Sequence, residues 1–446
     1  MSKFKNVVKR SGAIVPFTKI RIVNAIYRAA ISVGGRDKER AEILADKVID
    51  YLEKKFSDDH VPNIEEIQDA VEKILIENGH AKVAKEFILY RDERNKSRMS
   101  EAKIASKPDE NIPWAKIWRV LDWASTHNLN TIEKYNTRIN NNEFPHIVHE
   151  SEAAYEDDLD TAADMILERS DKLRMVFISG PSSSGKTTTT IKIEERLKKN
   201  GLKFATVNVD NYFFDLEDHP KDEFGDYDFE TPQALDLELI NEHLLKLSNG
   251  EEVKIPFYDF RLGKRYMDKS PMKLRENEII LIDSLHGLFP AFSKEIPGEV
   301  KFKLYLEPLL QMKDKNNKYI QWTDIRLMRR MLRDSVHRAY DPLQTLEHWH
   351  YVRSSELRNI IPFANSADFI INSAMPYELS LYKTKLFEKF KVWKNKFKDN
   401  PLKEDAFLRA ERICNFMEEI IEFSDESPIP KDSVLREFIG GSVYKY

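Results

Sequence analysis

The chain has 446 residues, 41% apolar and 33% charged, above the roughly 25% charge of an average soluble domain, which excludes collagen-like and low-complexity classes. Seventy Lys and Arg against 75 Asp and Glu leave a net charge of −5, so no global basic field draws nucleic acid or a membrane surface and any polyanion site is local. One cysteine, Cys414, excludes an intramolecular disulfide or a cysteine zinc site, and with no long apolar run anywhere the expectation is a cytoplasmic, helix-rich protein of two or three domains.

In chain order, residues 1–100 begin with a short β-like segment (Val7 to Phe17). Apolar residues then recur at helical spacing in Ile22, Val23 and Ile26, in Ile43, Leu44, Val48 and Leu52, and in Ile64, Ile67, Val71, Ile74 and Leu75. Asn63 with Glu66 three residues on predicts a capping pair, so this is expected to be a small, mainly helical domain with a β-hairpin. Residues 101–165, with Pro108, Pro113, Pro145 and the run Asn140 to Asn142, read as a connector carrying one amphipathic helix around Ile117, Leu121 and Trp123.

From 166 to 382 apolar strands alternate with amphipathic helices, the pattern of an α/β domain whose mostly parallel sheet has helices on both faces. Strands are predicted at Met175–Ile178, Phe204–Val209, Ile279–Ile282, Phe302–Leu306 and Phe369–Ile371, and helices starting near Lys186, Ala234, Asp324, Leu343 and Tyr377. Residues 383–446 read as a C-terminal helical extension, with Phe407, Ile413, Met417 and Ile420 on one helix face.

Gly180-Pro181-Ser182-Ser183-Ser184-Gly185-Lys186-Thr187 matches G-x-x-x-x-G-K-[ST] in full, between an apolar strand and an amphipathic helix. The glycines let the backbone wrap phosphate oxygens, and loop N–H groups with the helix N-terminus, Thr188 included, supply positive potential. Lys186 is placed to bridge the terminal phosphates and Thr187 to reach Mg²⁺. Asp210 and Asp283 each follow a predicted strand, at the sheet edge where ligands bind in such folds. Asp210 is a candidate general base for a substrate hydroxyl and Asp283 a candidate Mg²⁺ partner.

Taken together, these motifs resemble the uridine kinase and phosphoribulokinase group of P-loop kinases, over about 174–380. The likeness rests on the loop, on Asp210-Asn211-Tyr212-Phe213, on Phe229-Glu230-Thr231-Pro232, on Pro256-Phe257-Tyr258-Asp259-Phe260 with Arg265, on Asp324 to Arg330 with Arg333, Asp334 and Arg338, and on Ala367-Asp368-Phe369-Ile370-Ile371. The resemblance implies ATP and Mg²⁺ as cofactors, Asp210 as base, and acceptor contacts from Tyr212, Glu230, Tyr258, Arg265 and Arg338. It also implies a closing helix whose Arg326, Arg329, Arg330 and Arg333 hold the phosphates; Arg326, Arg330 and Arg333 share one helical face. Gly263 stands where uridine kinases carry a base-contacting His.

Residues 3–95 resemble the ATP-cone, on Val8-Lys9-Arg10-Ser11-Gly12, Phe17, Arg21-Ile22, Ile67 to Glu72 and Ala84 to Arg91. That likeness implies regulation by ATP or dATP through Lys9, Arg10 and Arg21, and a nucleotide-dependent homo-oligomer. The expectation is therefore an ATP-dependent kinase acting on a small-molecule hydroxyl, a nucleoside first, with neither membrane nor nucleic acid as partner. A sugar phosphate or other non-nucleoside acceptor stays open, as does a nucleotide-sensing switch without kinase turnover. His348 and His350 diverge on a helix and carry no metal expectation, and the lysine-rich, aromatic 382–403 segment reads as an amphipathic helix.

Overall fold

The computed structural model describes residues 3–8, 14–57, 60–89, 91, 112–220, 229–275, 278–337, 341–400 and 403–445. They fall into two compact units divided near residue 110.

In the first unit, β1 (Asn6–Val8) and β2 (Ile14–Pro16) form an antiparallel hairpin. Helices α1 (Lys19–Ile31), α2 (Lys38–Lys55), α3 (Ile64–Glu77) and α4 (residues 81–89) follow. The Asn63 side chain accepts from Glu66 N–H at 2.9 Å while Glu66 accepts from Asn63 N–H at 2.8 Å, the capping box expected from the sequence. The apolar stripes of α1, α2 and α3 meet in one core built on Val23, Ile26, Leu44, Val48, Leu52, Val71 and Leu75. Arg91 ties α4 to α3 through Glu65, Asp69 and Glu72, 2.5 to 2.7 Å away.

The second unit is built on a five-stranded sheet in the order β4-β7-β3-β8-β9, every pairing parallel. Its strands are β3 (Met175–Ser179), β4 (Lys203–Thr206), β7 (Glu278–Ser284), β8 (Lys301–Glu307) and β9 (Phe369–Asn372). The central strand β3 is buried along its whole length, as a parallel strand covered on both faces must be. The helices are α8 (Lys186–Lys199), α9 (Leu237–Ser248), α10 (Trp322–His337), α11 (Pro342–Asn359), α12 (Glu378–Phe397), α13 (Glu404–Glu419) and the short α14 (Arg436–Ile439).

Three differences from the sequence reading have local causes. The second predicted strand stops at Thr206, because the Asn208 side chain caps a 3₁₀ turn over Val209–Tyr212 by accepting from Asp210 N–H at 3.0 Å. The helix expected near Ala234 starts at Leu237, where Asp236 accepts from Leu239 N–H. An antiparallel hairpin, β5 (Glu252–Asp259) with β6 (Lys264–Lys273), was not expected at all, since β6 is polar and exposed almost throughout.

The stretch read as a connector holds three helices, α5 (Trp114–Thr126), α6 (Ile132–Asn140) and α7 (Phe144–Leu167). Tyr135, Phe144, Ile147 and Leu159 from this stretch share one core with β3, β8, α10 and α12, and with Ile413, Val434 and Phe438 from the C-terminal extension.

Candidate active site

The phosphate-binding loop leaves the carboxyl end of β3 and enters α8 through Gly185, which takes φ +96°. Ser183 also has positive φ, +60°, and such alternation of backbone hand turns successive N–H groups toward one concavity. Gly180 is required by space: a Cβ there would lie 2.2 Å from the Leu306 carbonyl oxygen on the neighbouring β8. The Ser183 and Ser184 hydroxyls are buried and neither has a hydrogen-bond partner among the described residues, an arrangement that suits an incoming phosphate. Lys186 Nζ donates to the Pro181 carbonyl at 3.2 Å, folded back over the loop.

Asp283, near the end of β7, sits within electrostatic reach of this lysine. Burial pushes its carboxyl up to about 6, with Lys186 pulling it down and Glu437 and Asp210 pushing it further up. Burial in turn lowers the Lys186 ammonium below its ordinary value, against the pull of Asp283 and Glu437. Asp210 is exposed on the capped 3₁₀ turn after β4. The three groups read from sequence as chemistry-bearing, Lys186, Asp283 and Asp210, are therefore electrostatically coupled in the fold. Among the described residues no group of three or more His, Cys, Asp or Glu side chains is arranged to hold a metal.

Residues 175–379 match the family model described as phosphoribulokinase/uridine kinase, and residues 5–96 match the ATP cone domain. These two stretches are an ATP cone domain and a phosphoribulokinase/uridine kinase family domain. A uridine kinase from Deinococcus deserti is 27% identical over 198 residues, 44% of this chain and 86% of that relative. A vitamin B12-dependent ribonucleoside-diphosphate reductase from Thermoplasma acidophilum is 42% identical over 110 residues, 24% of this chain and 14% of that relative. Among solved structures, D-glycerate 3-kinase from Cryptococcus neoformans aligns at 15% identity over 59% of this chain and 89% of that one, with a TM-score of 0.26.

Within the kinase family domain, the arginines of α10 divide into two kinds. Arg326 and Arg329 have no exposed surface. Arg326 is forked onto Glu356, with one nitrogen on the Ser182 carbonyl at 3.1 Å; Arg329 holds Glu378 at 2.7 and 3.0 Å and the Ser373 carbonyl at 2.7 Å. The helix expected to close as a lid is thus an interior wall of the loop, its two deepest arginines fixed by carboxylates. Arg330 and Arg333 stay partly exposed. Arg330 bridges Glu230 at 3.1 Å and the Ser182 hydroxyl at 3.3 Å, which joins the acceptor segment to the phosphate loop.

The other predicted acceptor residues scatter. Tyr212 is buried with its hydroxyl on His243 at 3.0 Å, so the phenol is committed to the interior and pushed up by burial. Arg265 is taken by Asp236 at 2.9 Å and stacks on Phe214. Tyr258 is buried in an aromatic cluster with Phe213, His219, Phe229 and Phe260, ring centroids 4.7 to 6.2 Å apart. Phe229 and Phe260 keep 41% and 62% of their surface exposed at the rim of that cluster. Gly263 has φ +62° and its added Cβ would meet Leu216 Cβ at 2.8 Å, so a larger residue is disfavoured there on two counts.

In the ATP cone domain, Arg21 is exposed on the first turn of α1, while Lys9 and Arg10 lie outside the described residues, as does Arg338 in the kinase family domain. Two further residues bear on the site, and of these only Glu437 escaped sequence reasoning. His286, 3% exposed just after β7, has its imidazole pushed down to about 4 by burial, with a hydrogen bond to the Glu230 backbone pulling the other way. Glu437 touches the head of α8 from the far end of the chain. Leu285-His286 is similar to a motif of the phosphoribulokinase side, whereas no local pattern marks Glu437.

Proposed function

We propose that this protein is an ATP- and Mg²⁺-dependent kinase that moves the γ-phosphoryl group of ATP to a hydroxyl of a small acceptor, a nucleoside, with the ATP cone domain tuning turnover to ATP or dATP. The observation that carries the reading is the coupling of Asp283 to both Lys186 and Asp210 beside a loop whose Ser183 and Ser184 hydroxyls lack partners among the described residues. In the reaction the acceptor oxygen attacks the γ-phosphorus, the bond to the β-γ bridging oxygen breaks, ADP leaves, and the hydroxyl proton goes to the Asp210 carboxylate. Lys186 and Arg330 offset charge on the transferred group, and Glu230, next to the exposed ring of Phe229, orients the acceptor. Mg²⁺, held by Thr187 and Asp283, would neutralise the phosphates.

The exposed faces of Phe229 and Phe260 support a ring-bearing acceptor. A second reading, a sugar phosphate or other non-nucleoside, is favoured by Gly263, whose backbone leaves no room for a base-reading side chain. ADP release from Mg-ATP across nucleosides and sugar phosphates tests both. Turnover with one acceptor is expected, lost by about 10²- to 10⁴-fold in Asp210→Asn with ATP still bound. Acceptor-independent hydrolysis, or normal turnover in that variant, would refute the proposal and favour a nucleotide-sensing switch.

A further inference from the structure

Thr188 is the third residue of α8 and fully buried. Its N–H belongs to the first helical turn, where no carbonyl of the same helix can accept it. With the hydroxyl beside it, the residue presents two donors at the loop's anion-binding end. Both donate to one oxygen, Glu437 Oε2, at 3.1 and 2.8 Å. Glu437 lies 249 residues further along the chain, beyond the segment matched by the kinase family model, and is 5% exposed.

The contact is built into the packing. A Cβ on Gly185 would come within 2.4 Å of Val434 Cγ2, so the loop glycine that takes a left-handed φ also makes room for the C-terminal segment. Phe438 packs under the Arg329 guanidinium at 5.0 Å. Arg436 fixes the segment from behind, donating to Glu426 Oε2 at 2.8 Å and to the carbonyls of Glu426 and Ile429 at 2.9 and 3.1 Å. The carboxylate so placed also faces Lys186 and Asp283 across the loop.

We infer that Glu437 is a residue of the nucleotide site and acts there as an internal competitor: its carboxylate fills one phosphate seat of the loop, and a donor binds by exchanging a phosphate for it at Thr188. The inference rests on the reading of the loop as a nucleotide site. One N–H and one hydroxyl cannot serve two anions at full strength, and a phosphate beside a fixed carboxylate is repelled in a poorly solvated pocket. The carboxylate therefore lowers the affinity of the loop for every polyphosphate, whatever base it carries. It gives the C-terminal segment a way to hold the kinase site closed to low nucleotide concentrations. It also makes donor affinity depend on anything that shifts residues 433–438.

The test is isothermal titration calorimetry on the full chain without acceptor, comparing wild type with Glu437→Gln. Glutamine keeps the shape and an accepting oxygen but removes the charge. Mg-ATP and inorganic tripolyphosphate are titrated separately, and the isotherm of a Lys186→Ala chain identifies heat that does not come from this loop. Glu437→Gln is expected to bind both ligands about tenfold more tightly at the loop, the scale of one charge-assisted hydrogen bond released. A gain of similar size for tripolyphosphate places the effect at a phosphate seat rather than at the base. Unchanged or weaker binding in a folded Glu437→Gln chain would overturn the inference, leaving Glu437 as a group that only orients Thr188. Should glutamine compromise folding, Glu437→Asp, one methylene shorter, is expected to show a smaller gain of the same sign, and no gain there also overturns it. If neither wild type nor variant binds ATP at the loop, the nucleotide-site reading itself fails.

Discussion

Arg329→Met separates a ligand-holding arginine from a wall-building one. Arg329 and Glu378 have no exposed surface, and the guanidinium meets the carboxylate through Nε at 2.7 Å and Nη2 at 3.0 Å, while Nη2 also donates to the Ser373 carbonyl at 2.7 Å. Methionine fills most of the volume but leaves Glu378 with only the Tyr382 hydroxyl at 2.7 Å and the Met375 N–H at 3.1 Å among these contacts. Removing one partner of such a buried pair costs about 3 to 5 kcal/mol, because the remaining charge is desolvated and uncompensated. The double variant Arg329→Met with Glu378→Met removes that charge and should return to within about 1 kcal/mol of wild type. All six tryptophans lie beyond residue 110, so tryptophan fluorescence in a urea titration reports the larger unit alone. If Arg329→Met unfolds within about 1 kcal/mol of wild type while KM for ATP rises tenfold or more, the arginine is a nucleotide contact and the reasoning fails.

Two further outcomes follow from the same geometry. Gly180→Ala drives a Cβ to within 2.2 Å of the rigid Leu306 carbonyl, so it should displace the loop and abolish the part of the ATP-binding heat that Lys186→Ala also removes; retained affinity at the loop would mean the strand yields more than a packed sheet should. His286 is buried and its imidazole is pushed down to about 4 by desolvation, whereas in the unfolded chain it titrates near about 6.5. The unfolded state therefore takes up the proton first as pH falls, so stability is full above about 6.5 and is lost progressively toward 4, by up to about 3 kcal/mol. His286→Gln should flatten that part of the curve in urea titrations at pH 7 and pH 4.5; an identical acid slope in the variant would rule the histidine out as its source.

The parallel sheet was legible because strands buried on both faces are continuous apolar runs. Ile279–Ile282 and Phe302–Leu306 read as strands without any structural help, and each lies inside its observed element. The loop was legible because its chemistry needs fixed residues at fixed spacing. β6 was not: its side chains face solvent along nearly the whole strand, so no alternation records the pairing with β5. The arginines of α10 were placed on the correct helix, but helical periodicity says which face a residue shares and not what waits opposite. Glu356 and Glu378, which decide that Arg326 and Arg329 are interior, lie 30 and 49 residues away. Tyr212 failed for a related reason, since the turn capped by Asn208 aims its hydroxyl at His243.

The chain outside the kinase family segment also has a physical reason to exist. An empty phosphate loop gathers donors and a lysine with no anion to satisfy them, and in a buried setting that is costly. Here carboxylates gather around the loop: Asp283 from β7 and Glu437 from α14 both face Lys186, and Glu437 takes the two donors of Thr188. Arriving phosphates add negative charge to a place already balanced, so binding must raise the cost of those carboxylates, protonate one, neutralise them with Mg²⁺, or move one aside. Asp283, already raised to about 6, is a group a divalent cation would stabilise, and Glu437, held by Thr188 at the head of α8, is the one proposed to move. Its movement is coupled to Val434 against Gly185 and Phe438 against Arg329, so occupancy of the loop and the packing of the C-terminal segment are two readings of one equilibrium.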